Sequence, residues 1–401
     1  MRSPTLCLLG LLLASACDKP LFNTGPVSVR DPSRHGQARP QPSVTDSAAA
    51  RPGLPDVFVT ALRFPEWADW RDGDLRSPEL LLFKNGKKLL SIPSDADADR
   101  HRYRAGHLWN DRCDGTETVL YRDGEEYFRF SGEEIFRGFT VQDGKVHTLG
   151  QRVGGGFCYR VDGVERFSAS VGTVLGAPSD FEWEGGAFSQ ELYYAYGVPL
   201  KTEAGQQWEY KVMQGDRFVK TLPADASLTL FDLRYYNGTL YRSERRSGGQ
   251  LCLVSDEHYR QLPIESSGEA HVCKLVPAGE TMLIKGYSDR VPRHYWVCGP
   301  EGMRFSVVTP TDVWPWYSDG IHDVAVSIDP DGFVTDFRED THPFSGSLRT
   351  YKLTGPQCCD LKDGVFAAAL SHAAGDEHLL WTDGQKDTVY FNGYFTSLQI
   401  Q

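Results

Sequence analysis

The sequence predicts an all-β fold, a single β-propeller of seven or eight four-stranded blades, on three observations. Short apolar or aromatic runs are joined in pairs by turns that carry Asn-Gly, Asp-Gly or a lone Gly. A second series of such turns interleaves with the first. The composition agrees: 40 Gly and 23 Pro stand beside 21 Phe, 18 Tyr and 9 Trp in 401 residues, and so many turn formers among so many large rings favour strands over helices.

The paired runs come first. They are "LLLFKNGKKLLSI" from Leu80, "VLYRDGEEYFRF" from Val119, "FCYRVDGVERFS" from Phe157, "WEYKVMQGDRFVKTL" from Trp208 and "LCLVSDEHYRQL" from Leu251. Then follow "HYWVCGPEGMRFSVV" from His294, a degenerate "LRTYKLTGPQCC" from Leu348, and "LLWTDGQKDTVYF" from Leu379. A two-residue hairpin turn needs positive φ at its central positions, which Asn, Asp and Gly tolerate, so each pair reads as a β-hairpin.

The second series contributes Gly144, Gly238, Gly279, Gly320, Gly364 and Gly393, at intervals of 94, 41, 41, 44 and 29 residues, the first interval holding two units. Two turns and four short strands per 40-odd residues is what one propeller blade requires. A lone blade cannot bury both faces. Stacked blades bury each other, and this explains strands that are apolar on both sides. The C-terminal "YFTSLQI" is expected to pair in the same blade as "VFVTALRF" (Val57 to Phe64), closing the ring without exposed sheet edges. Eight hairpins suggest eight blades. Seven remain open, because the degenerate copy and the neighbouring "DPDGFVTDFRED" read equally well as an insertion.

The N-terminus carries an address. "MRSPTLCLLGLLLASACDKP" has one early charge, Arg2, then an apolar run from Leu6 to Ala14 that is too short for a spanning helix of roughly 20 residues, so residues 1–16 read as a secretory signal. The "LASAC" segment, Leu13 to Cys17, resembles a bacterial lipobox, although Ala14 stands where that motif more often has Leu. On this resemblance Cys17 would carry a diacylglyceryl group, each buried methylene adding roughly 0.8 kcal/mol of membrane affinity. Residues 17–55 are rich in Pro, Ser, Ala and Arg and read as the lipidated Cys and a flexible spacer, with residues 56–401 as the propeller domain.

Aromatic-x-Asn/Asp-Gly hairpins at a spacing near 40, behind a lipobox and spacer, resemble uncharacterised β-propeller lipoproteins of the Bacteroidetes-type cell envelope. The resemblance implies an envelope location, facing the periplasm or the outside, and transfers no catalytic residue.

Candidate chemistry is sparse. The net charge is −12 with no basic cluster, which argues against nucleic acid. Seven cysteines follow Cys17, without CxxC or Cys/His spacing for zinc. Cys158, Cys252, Cys273 and Cys298 lie inside apolar strand runs, where small buried thiols are the default; if one bridge forms, Cys252 to Cys273 is the choice. The vicinal Cys358 and Cys359 are expected to point to opposite faces of a strand. The acidic "SIDPDGFVTDFRED" loop (Asp329, Asp331, Asp336, Glu339) partly resembles a calcium loop but reads better as a solvated hairpin. Paired carboxylates Glu125-Glu126 and Glu133-Glu134 read as surface residues.

Two aromatic clusters, Trp67 with Trp70, and Trp314 with Trp316 and Tyr317, are the candidate ligand contacts, since flat rings flanked by Asp and Arg suit sugar faces; packing between blades explains them as readily. No cofactor and no metal is expected. The resulting expectation is a membrane-tethered binding module for an envelope protein or glycan. The rivals are a glycan-active hydrolase or lyase with carboxylates at the channel mouth, and a scaffold subunit of an outer-membrane complex.

Overall fold

The computed structural model describes residues 54–401 apart from 66–77, 94–100, 176–187, 223–228, 263–270, 310–315, 340–347 and several connections of four residues or fewer. Contacts divide the chain into Met1–Ser47 and Ala48–Gln401, and every described residue belongs to the second unit. Among the described residues no helix is long and apolar enough to cross a membrane.

The chain winds through eight antiparallel sheets in sequence order. Blade 1 begins with β1 (Val57–Arg63), β2 (Glu79–Lys84) and β3 (Lys87–Pro93). Blade 2 holds β4 (His101–Arg104), β5 (His107–Cys113), β6 (Glu117–Arg122) and β7 (Glu125–Ser131). Blade 3 holds β8 (Glu134–Gln142), β9 (Lys145–Arg152), β10 (Phe157–Val161) and β11 (Val164–Ala169). In blade 4 the short β12 (Thr173–Val174) precedes β13 (Tyr193–Thr202), β14 (Gly205–Gln214) and β15 (Arg217–Leu222).

Blade 5 is β16 (Thr229–Tyr236), β17 (Thr239–Arg245), β18 (Leu251–Val254) and β19 (Tyr259–Gln261). Blade 6 is β20 (His271–Ala278), β21 (Thr281–Ser288), β22 (Arg293–Gly299) and β23 (Gly302–Thr309). Blade 7 shows β24 (Trp316–Ser318), β25 (Asp323–Ile328) and β26 (Val334–Glu339). Blade 8 has β27 (Tyr351–Lys352) and β28 (Cys359–Lys362) sharing one flank of β29 (Val365–His372), followed by β30 (Glu377–Thr382) and β31 (Gln385–Tyr390). Seven sheets thus have four strands or more, and blade 7 has three among the described residues.

The last strand, β32 (Gly393–Ile400), returns to pair with β1, Val57 opposite Ile400 and Val59 opposite Leu398. This is the closure expected from the two terminal runs. It joins the first and last strands inside one sheet, so that opening the ring means breaking a strand ladder rather than sliding two faces apart.

Burial shows why the blades need one another. Leu80 to Phe83 of β2 and Phe157 to Arg160 of β10 are buried without alternation, as strands covered on both faces must be. Apolar clusters fill each gap in turn. Phe58 of blade 1 stacks on Tyr103 of blade 2 at 4.1 Å; Trp109 of blade 2 meets Phe139 of blade 3 at 5.3 Å; and Phe157 of blade 3 meets Tyr196 of blade 4 at 4.6 Å. Val212 packs with Leu233, Leu253 with Leu275, and Leu283 with Trp316 across the next three gaps. One larger cluster joins blades 7, 8 and 1 through Phe337, Trp381, Phe395 and Leu398. Each buried ring removes about 150–250 Å² from water, an upper bound of roughly 4–6 kcal/mol.

The two turn series lie on one face, because in an antiparallel four-stranded blade the first-to-second and third-to-fourth connections fall on the same side. The Asx residue of the third-to-fourth turn ties them together. Asn85, Asp123 and Asp162 all have φ near 50°, and their side chains accept the N–H groups of Val57 (2.8 Å), Leu108 (2.8 Å) and Val146 (2.9 Å) at the start of the second strand. Their own N–H groups donate back to the carbonyls of the same three residues. The repeated Asn/Asp-Gly therefore has two causes: tolerance of positive φ and a side-chain acceptor aimed at the inner hairpin.

The perimeter is protected as well. The outermost pair in blades 1, 2, 3, 4 and 6 carries a β-bulge at the matching place, between Leu82/Phe83, Leu120/Tyr121, Tyr159/Arg160, Val212/Met213 and Val297/Cys298. A bulge twists an edge strand out of register with any incoming strand, which discourages edge-to-edge association.

Four expectations change. "FNG" at Asn392-Gly393 is the connection between β31 and β32, not a turn inside a blade, which accounts for the short final interval. "LRTYKLTGPQCC" is not a hairpin: Tyr351 and Lys352 pair with His372 and Ser371, while Cys359 pairs with Ala368 on the same flank of β29. "DPDGFVTDFRED" is no insertion, since Ser327 pairs with Asp336 in the β25–β26 ladder of blade 7. Cys252 stands as a buried thiol, so it forms no bridge to Cys273.

Candidate functional site

A cavity of about 620 Å³ lies on the axis, within the usual range of roughly 300–1,000 Å³ for ligand pockets. Its wall takes side chains from all eight blades, and most come from the C-terminal ends of the first strands. Those strands are therefore the innermost, and the cavity sits toward the face of the tight turns. In five blades the residue just before the inner turn contributes to a collar: Arg104 in blade 2, Gln142 in blade 3, Tyr236 in blade 5, Ser318 in blade 7 and Lys362 in blade 8. Two residues deeper, Thr140, Arg234 and Asp360 point to the same space, as the period of two along a strand requires.

Several of these groups are held in place. Arg234, 8% exposed, donates from Nη1 to the Phe188 carbonyl at 2.8 Å and from Nε to Asp232 at 3.3 Å. Asp232 also accepts the N–H of Leu275 in the next blade at 2.9 Å. Asp360 accepts the N–H groups of Leu361 (2.9 Å) and of Ile400 in blade 1 (2.8 Å). These two carboxylates thus join inner strands of adjacent blades while placing charge beside the cavity. Tyr235 stacks on Tyr193 at 4.3 Å, and the Tyr236 hydroxyl donates to the Gly279 carbonyl.

Blade 4 enters the cavity differently. Before β13 the chain makes a single 3-10 turn, Gln190–Leu192, in which Glu191 (φ 54°, ψ 29°) and Leu192 (φ 61°) are both left-handed. The other described non-glycine residues with positive φ are Asn, Asp or Ala in hairpin turns; a Glu-Leu pair there is strained, at about 1–2 kcal/mol per residue. The turn is pinned by Ser189 and Gly215, whose N–H groups donate to the carbonyls of Tyr193 and Leu192. Glu191 lines the cavity, and its carboxylate, after desolvation, holds the Tyr235 phenol above its ordinary pKa.

The chain joins the propeller on this face too, because the Gln401 N–H donates to the Asp56 carbonyl at 2.9 Å, beside the end of β32.

Of the sequence-derived ligand contacts only Trp316 and Tyr317 are among the described residues, and neither lines the cavity. Cys17, Trp67, Trp70 and Trp314 fall outside the described residues. Trp316, 4% exposed, packs with Ala278, Leu283 and Val297 between blades 6 and 7. Tyr317 packs on Phe366 and bonds the Cys359 thiol, and burial holds both groups well above their ordinary pKa. Cys358 instead reaches the Phe395 carbonyl in blade 1, so the vicinal thiols do face opposite sides. Asp329 accepts the N–H of Phe333 in a hairpin turn, and among the described residues no group of His, Cys, Asp and Glu is arranged to hold a metal.

Glu134 departs from its expected surface position. It is 2% exposed and receives Arg160 through two bonds of 2.6 and 2.8 Å, with Arg152 at 3.3 Å and the Cys158 thiol at 3.1 Å. Desolvation is the largest single influence and opposes its ionisation, yet the bonds and charge of Arg160 together with the bonds from Cys158 and Arg152 outweigh it and hold the carboxyl below its ordinary range. Burial pushes the Cys158 thiol up to about 12. Gly150 makes the room, since a Cβ there would lie 2.0 Å from the Glu134 carboxylate.

Composition and hydropathy gave no sign of the collar. The signal available in the sequence was positional: the residue before each inner turn ends an innermost strand.

No protein-family model and no curated protein matches the chain. Among solved structures it is similar to apo AztD from Citrobacter koseri, at 11% identity over 86% of this chain and 97% of that one, with a TM-score of 0.50. It is similar also to dihydro-heme d1 dehydrogenase NirN, at 11% identity over 85% and 75%, with a TM-score of 0.51. Both are β-propeller proteins of bacterial origin, and likeness at this identity shows that the chain has the β-propeller fold.

Proposed function

We propose that the chain is a lipid-tethered protein of the bacterial cell envelope whose propeller binds a protein or glycan partner. The observation that carries the binding role is the axial cavity, lined from all eight blades and holding the immobilised Arg234 and Asp360 in its wall. The apolar run from Leu6 to Ala14 and the "LASAC" segment support export and a tether at Cys17.

Two experiments test this reading. Labelled palmitate fed to a bacterial host should enter the wild-type chain and not Cys17→Ser. A binding screen against envelope proteins and glycans should return a partner that competes with filling of the axial cavity. A hydrolase or lyase reading would draw on Glu191 and Asp363, which also line the cavity, and release of reducing sugar from a bound glycan would favour it.

A further inference from the structure

We infer that the axial cavity is a seat for a neutral, hydroxyl-rich saccharide; the inference rests on the binding-module reading and names the ligand class. Charge around the wall alternates rather than segregates. Arg104, Arg234 and Lys362 enter from blades 2, 5 and 8, and Glu191, Asp360 and Asp363 from blades 4 and 8, so neither a small anion nor a small cation meets a wall of opposite sign. Hydroxyls, which donate and accept at once, suit such a mixed wall. The depth is set by side chains already immobilised, Arg234 by Phe188 and Asp232, and Asp360 by two backbone N–H groups, so little ordering accompanies binding. Tyr235, fixed against Tyr193, offers an aromatic surface beside them.

The backbone gives an independent indication. Glu191 is brought to the wall by two consecutive left-handed residues, neither of them Gly, Asn or Asp. Strain of this kind persists where a side chain must be presented in one place. A Gly in that turn would relieve the strain and remove the carboxylate.

The test is calorimetric titration of the full chain bearing Cys17→Ser with neutral trisaccharides of glucose, mannose, xylose and N-acetylglucosamine. At least one should bind, with affinity that falls about tenfold or more in Glu191→Gln and in Lys362→Ala and that stays constant between about 50 and 500 mM salt, since a neutral ligand is not screened. Both variants alter solvent-accessible side chains, and unchanged circular dichroism would show that they fold. Binding unaffected by either variant, or binding confined to acidic saccharides and lost in salt, overturns the inference. An envelope protein captured without any saccharide heat overturns it and leaves the binding-module reading standing. Silence toward saccharides and envelope extract alike overturns both.

Discussion

Replacing Glu134 by Leu probes a buried charge cluster between the strands of blade 3. The carboxylate is the partner of both terminal nitrogens of Arg160, which is 5% exposed and lies over the Phe130 ring at 4.0 Å. Removing it leaves a guanidinium in the interior with only the more exposed Glu165 carboxylate, 4.0 Å away, to offset its charge, at a cost of about 3–5 kcal/mol. At roughly 2 °C per kcal/mol for a domain of this size, the melting temperature should fall by about 6–10 °C. Glu134→Leu with Arg160→Met removes both charges and should recover most of the loss, because such pairs often exchange for apolar groups at little cost. Acid should narrow the gap. The folded pKa of Glu134 lies below its ordinary 4.5, so its contribution is complete above that value and is lost as pH falls through the folded pKa; wild type and single variant should converge there. The assay is thermal unfolding of all three proteins at neutral and acid pH. A single variant melting within about 2 °C of wild type, or a double variant less stable than the single, would refute this account.

Cys158 should resist alkylation in the native state, since a thiol with a pKa of about 12 is ionised in only roughly one molecule in ten thousand at pH 8; mass spectrometry after native and denatured labelling checks this residue by residue. Asp162→Gly, which keeps positive φ but loses the bond to Val146, should cost about 1 kcal/mol, and Asp162→Ala about 2 kcal/mol because strain is added, as read from urea unfolding. Glu191→Gly should raise stability by about 0.5–1 kcal/mol while abolishing ligand binding, a pairing measurable by melting and titration on the same sample.

Much of the architecture was legible in the chain itself. The Asn/Asp-Gly pairs and their spacing predicted the hairpins because the backbone requirement is local: a turn with positive φ accepts few residues, and each announces itself. Closure by the terminal runs followed from the need to cover two sheet edges. Where turn chemistry decayed, at Leu348 to Cys359, the reading failed, because β27 and β28 share one flank of β29 through a pairing that no local pattern records.

What the sequence by itself determined, then, is the period and the hairpins, since both depend on neighbours in the chain. Only the tertiary structure decided which polar residues matter. Glu134 looked like a surface carboxylate until Arg160 and Gly150 were brought around it. Arg104, Gln142, Glu191, Arg234 and Lys362 come from five blades and from distant parts of the chain, and they form one wall because ring closure places the ends of innermost strands around a common axis. A site assembled from one residue per repeat has no local signature, and closing the ring is the physical event that creates it.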